Sequence, residues 1–142
     1  MTKLPQTVSD LMSRDVLTLR EDQDLNHLGD AMRLFKFRHM PVTDDQRLVG
    51  LITQRDVLRV SASSLLPGAK EQTDHLAKTF HVRDVMIRDI KTVNPETSLS
   101  TAGRLLLQHK LGCVPVVDHH NVVVGILTES DFVRFAVQVL ET

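Results

Sequence analysis

The spacing of apolar residues along this 142-residue chain predicts amphipathic helices alternating with short strands. Two segments place side chains at steps of three, four and three residues, which is the spacing of one face of an α-helix. These faces consist of Leu25, Leu28, Met32 and Phe35 in the first half, and of Leu99, Ala102, Leu106 and His109 in the second. Short apolar runs bounded by polar residues predict strands, at about 16–19, 40–43, 48–52, 90–93, 113–117 and 122–127. Further helical segments are predicted at 9–12, 54–61, 71–79 and 132–140.

The two halves of this pattern are copies of each other. Val8, Asp10, Met12, Arg14 and Asp15 recur as Val82, Asp84, Met86, Arg88 and Asp89. The offset of 74, from 8 to 82, becomes 75 from Gly50 to Gly125, which places one extra residue near 121–124. Because there are only two copies, the sequence predicts a pseudo-twofold pair and not a solenoid.

Each half closes with the motif Gly-h-h-Thr-x-x-Asp, where h is apolar, at 50–56 and again at 125–131. An apolar strand that ends at Thr, with an acidic residue three places on, is typical of a helix capping box. The same atoms favour a second interpretation, because a helix N-terminus can hold a phosphate and a carboxylate can accept the hydroxyls of a ribose. Both interpretations stay open for a single motif, and the duplication favours the nucleotide.

Composition excludes several classes of function. The formal net charge is −1, so no basic field is present to hold nucleic acid or an anionic membrane. We also expect no membrane span, because no apolar run approaches roughly 20 residues, and the start of the chain does not resemble a signal peptide. A single cysteine, Cys113, fits a reducing, cytoplasmic location. His119 and His120 have no third ligand at suitable spacing, so no metal site is predicted.

The duplicated order of strand, helix, two strands and helix resembles a pair of cystathionine-β-synthase (CBS) domains, a Bateman module, as in stand-alone bacterial-type CBS domain proteins. The resemblance rests on the Asp-h-Met segments at 10–12 and 84–86, the segments 38–42 and 112–118, and the two Thr-x-x-Asp motifs. It implies an α/β (α+β) fold with two β-α-β-β-α repeats, each a small sheet packed with two helices. The repeats would cover 8–61 and 82–140, joined by a linker with a short helix at 62–81.

Members of this family sense adenosine-containing ligands in two clefts between the repeats, and they do not catalyse a reaction. The resemblance therefore implies AMP, ADP, ATP or S-adenosylmethionine as a regulatory ligand and no catalytic cofactor. Carried over by position, one cleft would use Val16, Leu17, Arg38, His39, Met40, Ile126, Thr128 and Asp131. The other cleft would use Leu51, Thr53, Asp56, Ile90, Lys91, Gly112, Cys113 and Val114.

The two predicted clefts are not equivalent. Arg38 and His39 place a permanent cation and a titratable ring where family members often contact phosphate. The second cleft has Gly112 and Cys113 at these positions, with only Lys91 as a substitute cation. We therefore expect phosphate to be read mainly in the first cleft.

The last predicted helix is apolar on nearly all sides from Phe132 to Leu140. This surplus predicts burial against a second copy in a homodimer, or against an unidentified target protein. An alternative function is therefore a structural or interaction module without ligand, which regulates a separate enzyme through its helical surface. Catalysis is not expected, because Cys113 has no base placed to activate it.

Overall fold

The computed structural model describes residues 4–25, 28, 32, 37–61 and 81–142. Its elements in chain order are α1 (Val8–Leu11), β1 (Leu19–Arg20), β2 (His39–Asp44), β3 (Arg47–Thr53), α2 (Gln54–Ser61), α3 (Val82–Val85), α4 (Leu99–His109), β4 (Cys113–Val117), β5 (Val123–Thr128) and α5 (Glu129–Leu140). The mixture of small sheets and helices is the α/β class that the sequence predicts. The predicted helix at 71–79 lies outside the described residues.

The chain forms two compact units, and neither coincides with one sequence repeat. The central unit is Leu17–Asp89, and the terminal unit combines Met1–Val16 with Ile90–Thr142. Each unit therefore contains most of one repeat together with the opening segment of the other repeat.

The central unit is built on a three-stranded sheet in the order β1-β2-β3. Strand β1 pairs with β2 in parallel, and β2 pairs with β3 as an antiparallel hairpin. Asp45 and Gln46 close this hairpin with φ values of 51° and 70°, the conformation of a two-residue type I′ turn. Leu28 and Met32 are helical and buried in the core beside the sheet, as the helical spacing predicts. Phe35, on the same predicted face, lies outside the described residues.

The terminal unit repeats this plan with the β4-β5 hairpin and helix α4. Leu99, Ala102 and Leu106 of α4 are buried in its core, whereas His109, predicted on the same face, is exposed in the last turn. The β4-β5 turn is one residue longer than its counterpart and ends at Asn121, whose φ is 64°. The extra residue inferred from the change in offset is thus accommodated in the turn.

The opening segment of each repeat packs on the hairpin of the other repeat. Ser13 exchanges two backbone hydrogen bonds with Ile126, at 2.9 and 3.0 Å, and Ile87 exchanges two with Leu51, both at 2.9 Å. A Cβ atom on Gly125 would lie 2.6 Å from Met12 Sδ. The glycine that opens each Gly-h-h-Thr motif therefore leaves room for the methionine of an Asp-h-Met segment.

Two predicted strands are shorter than expected. Instead of a strand at 16–19, the structure has β1 at Leu19–Arg20, and instead of a strand at 90–93 it has one parallel bridge between Val93 and Val116. Val93 donates to the Pro115 carbonyl at 3.2 Å and accepts from the Val117 amide at 2.9 Å. The next bond of a parallel ladder would need an amide from Pro115, which proline lacks, and Pro41 occupies the equivalent position beside β1.

None of the helices in the described part of the chain could span a bilayer, given their lengths and apolar content.

Candidate functional site

The first candidate site is the junction at which β3 ends and α2 begins. The Thr53 amide and hydroxyl both donate to Asp56 Oδ2, at 3.0 and 2.8 Å. The Asp56 amide donates in return to the Thr53 hydroxyl oxygen at 3.3 Å. This reciprocal arrangement is a capping box, and it holds a carboxylate that is only 6% exposed. We call these residues the Thr53 junction.

The same geometry recurs where β5 meets α5, and we call this the Thr128 junction. The Thr128 amide donates to Asp131 Oδ2 at 2.9 Å, and its hydroxyl donates to the same oxygen at 3.2 Å. The Asp131 amide donates to the Thr128 hydroxyl oxygen at 3.3 Å, and Asp131 is 3% exposed. The capping box predicted from the sequence is therefore present in both copies.

Only some of the backbone amides in the first turn of each helix have a hydrogen-bond acceptor. The amide of the first helical residue donates to a backbone carbonyl that precedes the hairpin. The Gln54 amide donates to the Arg38 carbonyl at 2.7 Å, and the Glu129 amide donates to the Gly112 carbonyl at 3.1 Å. Among the described residues, no acceptor is found for the second helical amide, that of Arg55 or Ser130. Such an amide at a helix N-terminus is suited to bind an anionic oxygen.

Each junction contains an arginine that the sequence analysis did not assign to the site. Arg59 Nη2 donates to Asp56 Oδ1 at 3.5 Å, and Arg134 Nη2 donates to Asp131 Oδ1. The guanidinium groups balance carboxylates that would otherwise be buried charges. The sequence does carry a signal for them, because both arginines lie three residues after the aspartate in the two copies.

The predicted site residues of the central unit differ in what they can present to a ligand. The Leu17 and Arg38 side chains are exposed, and His39 is half-buried at the start of β2. Met40 and Leu51 are buried, and Met40 belongs to the hydrophobic core. Contact between a ligand and Met40 would therefore have to use main-chain atoms.

The predicted site residues of the terminal unit likewise include both accessible and buried side chains. Lys91 is exposed, and the residues Val16, Ile90 and Ile126 are half-buried. Val114 is fully buried in the core of this unit.

Cys113 is buried, and burial raises the pKa of its thiol to about 12. The thiol is therefore neutral at physiological pH and is poorly suited to act as a nucleophile.

Within each unit the structure thus assembles a Thr–Asp–Arg group. The partners that the sequence analysis expects for each group across the repeats belong in part to the other unit, and their pairing stays a prediction.

His119 and His120, in the β4-β5 turn, have ring centroids 4.0 Å apart. In the described part of the chain, no three side chains of His, Cys, Asp or Glu are grouped so that they could hold a metal ion.

Comparison with known proteins gives the family. A model of the CBS domain matches residues 8–63 and 82–138. Among solved structures, an AcuB protein of Vibrio cholerae, assigned to acetoin utilization, is 35% identical over 97% of this chain and 95% of its own, with a TM-score of 0.79. The protein CBSX2 in complex with AMP is 29% identical over 94% of this chain and 97% of its own, with a TM-score of 0.77.

Curated relatives include longer enzymes. A homoserine O-acetyltransferase of Methanohalophilus mahii is 32% identical over 125 residues, or 87% of this chain and 23% of the enzyme. The chain spans 23% of this enzyme, 24% of an inosine-5'-monophosphate dehydrogenase of Korarchaeum cryptofilum and 47% of the uncharacterized protein MJ1225 of Methanocaldococcus jannaschii. The two matched segments cover most of the sequence and include both Thr–Asp junctions. The chain belongs to the CBS domain family and carries two CBS domains in tandem.

Proposed function

We propose that this chain is a regulatory module that binds an adenosine-containing ligand, namely AMP, ADP, ATP or S-adenosylmethionine, at the Thr53 and Thr128 junctions. The observation that carries the proposal is the duplicated network, in which a buried carboxylate and an available helix amide occur side by side in both units. A relative that is 29% identical binds AMP. A module that distinguishes AMP from ATP would sense the energy state of the cell.

The chemistry of each junction fits such a ligand in two places. Asp56 and Asp131 supply carboxylate oxygens, which accept hydrogen bonds from ribose hydroxyls. The amides of Arg55 and Ser130, at the helix N-termini, are suited to a phosphate oxygen. The proposal assigns no catalytic step to the chain, since the role of each group is to bind.

Calorimetric titration of the full chain with AMP, ADP, ATP and S-adenosylmethionine tests this proposal. We expect Asp131→Asn and Asp56→Asn each to remove binding at one junction, because an amide replaces one acceptor oxygen with a donor. Each substitution should also lower the free energy of unfolding by about 1 kcal/mol, because the pair with Arg134 or Arg59 is lost.

Asp84→Asn is the matched control. Asp84 Oδ2 accepts from the His81 amide at 2.8 Å and completes the capping box of α3, yet it belongs to neither junction. We expect this variant to leave both the affinity and the stability nearly unchanged, because an asparagine oxygen can still accept from the His81 amide. A wild-type chain that binds none of the four ligands would overturn the proposal and favour a module that acts only through protein contacts.

We also propose that the chain forms a homodimer through helix α5. Val133 and Leu140 on α5 are 60% and 83% exposed, and Val137 lies between them on the same side of the helix. Light scattering at micromolar concentration should give twice the 16.0 kDa mass of the chain. Val137→Glu should raise the dissociation constant about 100-fold, because an unpaired charge at an interface is costly.

Gln138→Glu adds the same charge at an exposed polar position of α5 and serves as the control. We expect it to leave the dimer intact. A wild-type chain that scatters as a monomer would overturn the homodimer and leave this surface for a different target protein.

A further inference from the structure

The second oxygen of each site carboxylate is occupied by an arginine of the same helix. We propose that Arg59 and Arg134 control selectivity for ribose hydroxyls, each by occupying an acceptor position that the second hydroxyl of a ligand would otherwise use. This inference rests on the proposed function, because it concerns how the same carboxylates bind a ribose.

Asp131 has a limited number of acceptor positions. A carboxylate offers about four positions to hydrogen-bond donors, two on each oxygen. Oδ2 accepts from both the amide and the hydroxyl of Thr128, which fills that oxygen. Oδ1 accepts from Arg134, so one position remains for a ligand. The hydrogen bonds at Asp56 follow the same pattern, with Arg59 on Oδ1.

A ribose presents two neighbouring hydroxyl groups, so it can use two acceptor positions. For the second hydroxyl to bind, one present donor must leave the carboxylate. The Thr128 amide is fixed in the backbone where β5 ends, and the threonine hydroxyl completes the capping box. The Arg134 side chain is 66% exposed, so water can replace its hydrogen bond when the guanidinium group leaves the carboxylate. The arginine is therefore the donor that gives way.

The occupation of Oδ1 by Arg134 predicts how strongly the site distinguishes ribose from deoxyribose. While Arg134 occupies Oδ1, only one ribose hydroxyl contributes fully to binding, and a deoxyribose that retains that hydroxyl binds nearly as well as ribose. Without the guanidinium group, both hydroxyls can bind, and selectivity for ribose increases.

The test measures affinities of the full chain for AMP, 2′-deoxy-AMP and 3′-deoxy-AMP by calorimetry. It compares Arg134→Met with wild type, both in an Asp56→Asn background, which leaves the Thr128 junction as the intact site. We expect Arg134→Met to strengthen AMP binding about two- to tenfold, the contribution of one hydrogen bond. Binding of at least one deoxy analogue should change less than twofold.

Arg134→Lys and Arg104→Met are the controls. The lysine retains a charged donor and should keep the wild-type selectivity. Arg104 is an exposed residue of α4, and in the described part of the chain it has no hydrogen bond or ion pair with Asp131. Arg59→Met in an Asp131→Asn background repeats the test at the other junction, and it keeps the proposal open to refutation if Arg134→Met fails to fold.

Equal weakening of AMP and both analogues would overturn the inference, since the arginine would then hold the carboxylate in position for any ligand. An unchanged ratio of affinities would also overturn it, while AMP binding itself would leave the proposed function intact. No AMP binding by wild type would overturn both.

Discussion

The Thr53 and Thr128 junctions share one hydrogen-bond network but differ in the charge around it. The residues that flank Asp56 and lie within its own unit include three arginines: Arg38, Arg55 and Arg59. At the Thr128 junction the corresponding positions are Gly112, Ser130 and Arg134, and Glu129 replaces Gln54. Judged by its own unit alone, the Thr53 junction is cationic and the Thr128 junction is acidic.

This contrast separates two kinds of structural requirement. The capping network uses the same donors and acceptors at both junctions, because the first turn of a helix leaves amides without an intrahelical acceptor wherever a strand runs directly into it. The charged neighbours lie on exposed positions, where a substitution costs the fold little. Charge, and not backbone geometry, is therefore what can make the two junctions prefer different ligands.

The largest expected effect concerns Arg38, whose carbonyl accepts from the Gln54 amide at the Thr53 junction. The family resemblance instead assigns its side chain to the cleft of Asp131. We expect Arg38→Ala to weaken AMP binding about 10- to 100-fold in an Asp56→Asn background, which retains the Asp131 site. This factor corresponds to the loss of one charge-assisted hydrogen bond, which contributes about 1.5–3 kcal/mol to the binding free energy. Calorimetry gives both affinities.

The same measurement in an Asp131→Asn background should show almost no effect, and adenosine, which has no phosphate, should bind Arg38→Ala as it binds wild type. Arg47→Ala removes an exposed arginine at the β2-β3 turn and controls for net charge. If the loss appears instead in the Asp131→Asn background, Arg38 serves its own unit and the predicted pairing is wrong.

The next effect compares Gly125 with Gly50. A Cβ atom on Gly125 would lie 3.0 Å from the Ser13 carbonyl oxygen as well as against Met12, whereas the three atoms nearest to a Cβ on Gly50 all belong to the Met86 side chain. A backbone oxygen yields less readily than a side chain. We expect Gly125→Ala to lower the free energy of unfolding by about 2–3 kcal/mol and Gly50→Ala by about 1–2 kcal/mol. Urea denaturation measures both.

Gly103→Ala is the control for glycine replacement as such. It lies within α4, and its Cβ would lie 3.4 Å from the Phe132 ring. This variant should gain about 0.5 kcal/mol through helix propensity. Equal losses for Gly125→Ala and Gly50→Ala would show that the carbonyl of Ser13 moves as easily as the methionine.

The sequence was sufficient to predict the features that local chemistry determines. The capping boxes at Thr53 and Thr128, the two hairpins and the extra residue in the second turn all follow from residue types at fixed spacings. The prediction of a strand at 90–93 was wrong because the strand beside it contains Pro115, whose missing amide interrupts the hydrogen-bond ladder. Partner strands cannot be identified from periodicity alone.

The features that remained hidden depend on contacts between distant residues. The sequence around Met12 does not indicate that this side chain packs on Gly125, in the other repeat, and not on Gly50, in its own repeat. In the sequence, the only sign of a role for Arg134 is that Arg59 repeats it in the other copy. An exposed arginine on a helix usually faces solvent and needs no partner. The structure identifies its partner as a nearly buried carboxylate.

The smallest expected effect distinguishes the two hairpin turns. Gln46 has a φ of 70° in the two-residue β2-β3 turn, and Asn121 has a φ of 64° in the longer β4-β5 turn. The left-handed region costs most residues about 1 kcal/mol, whereas asparagine tolerates it. We expect Gln46→Gly to raise the free energy of unfolding by about 0.5–1 kcal/mol and Asn121→Gly to leave it unchanged or lower it. Thermal denaturation of both variants tests the difference, and a greater gain for Asn121→Gly would mean that backbone strain is not what distinguishes the turns.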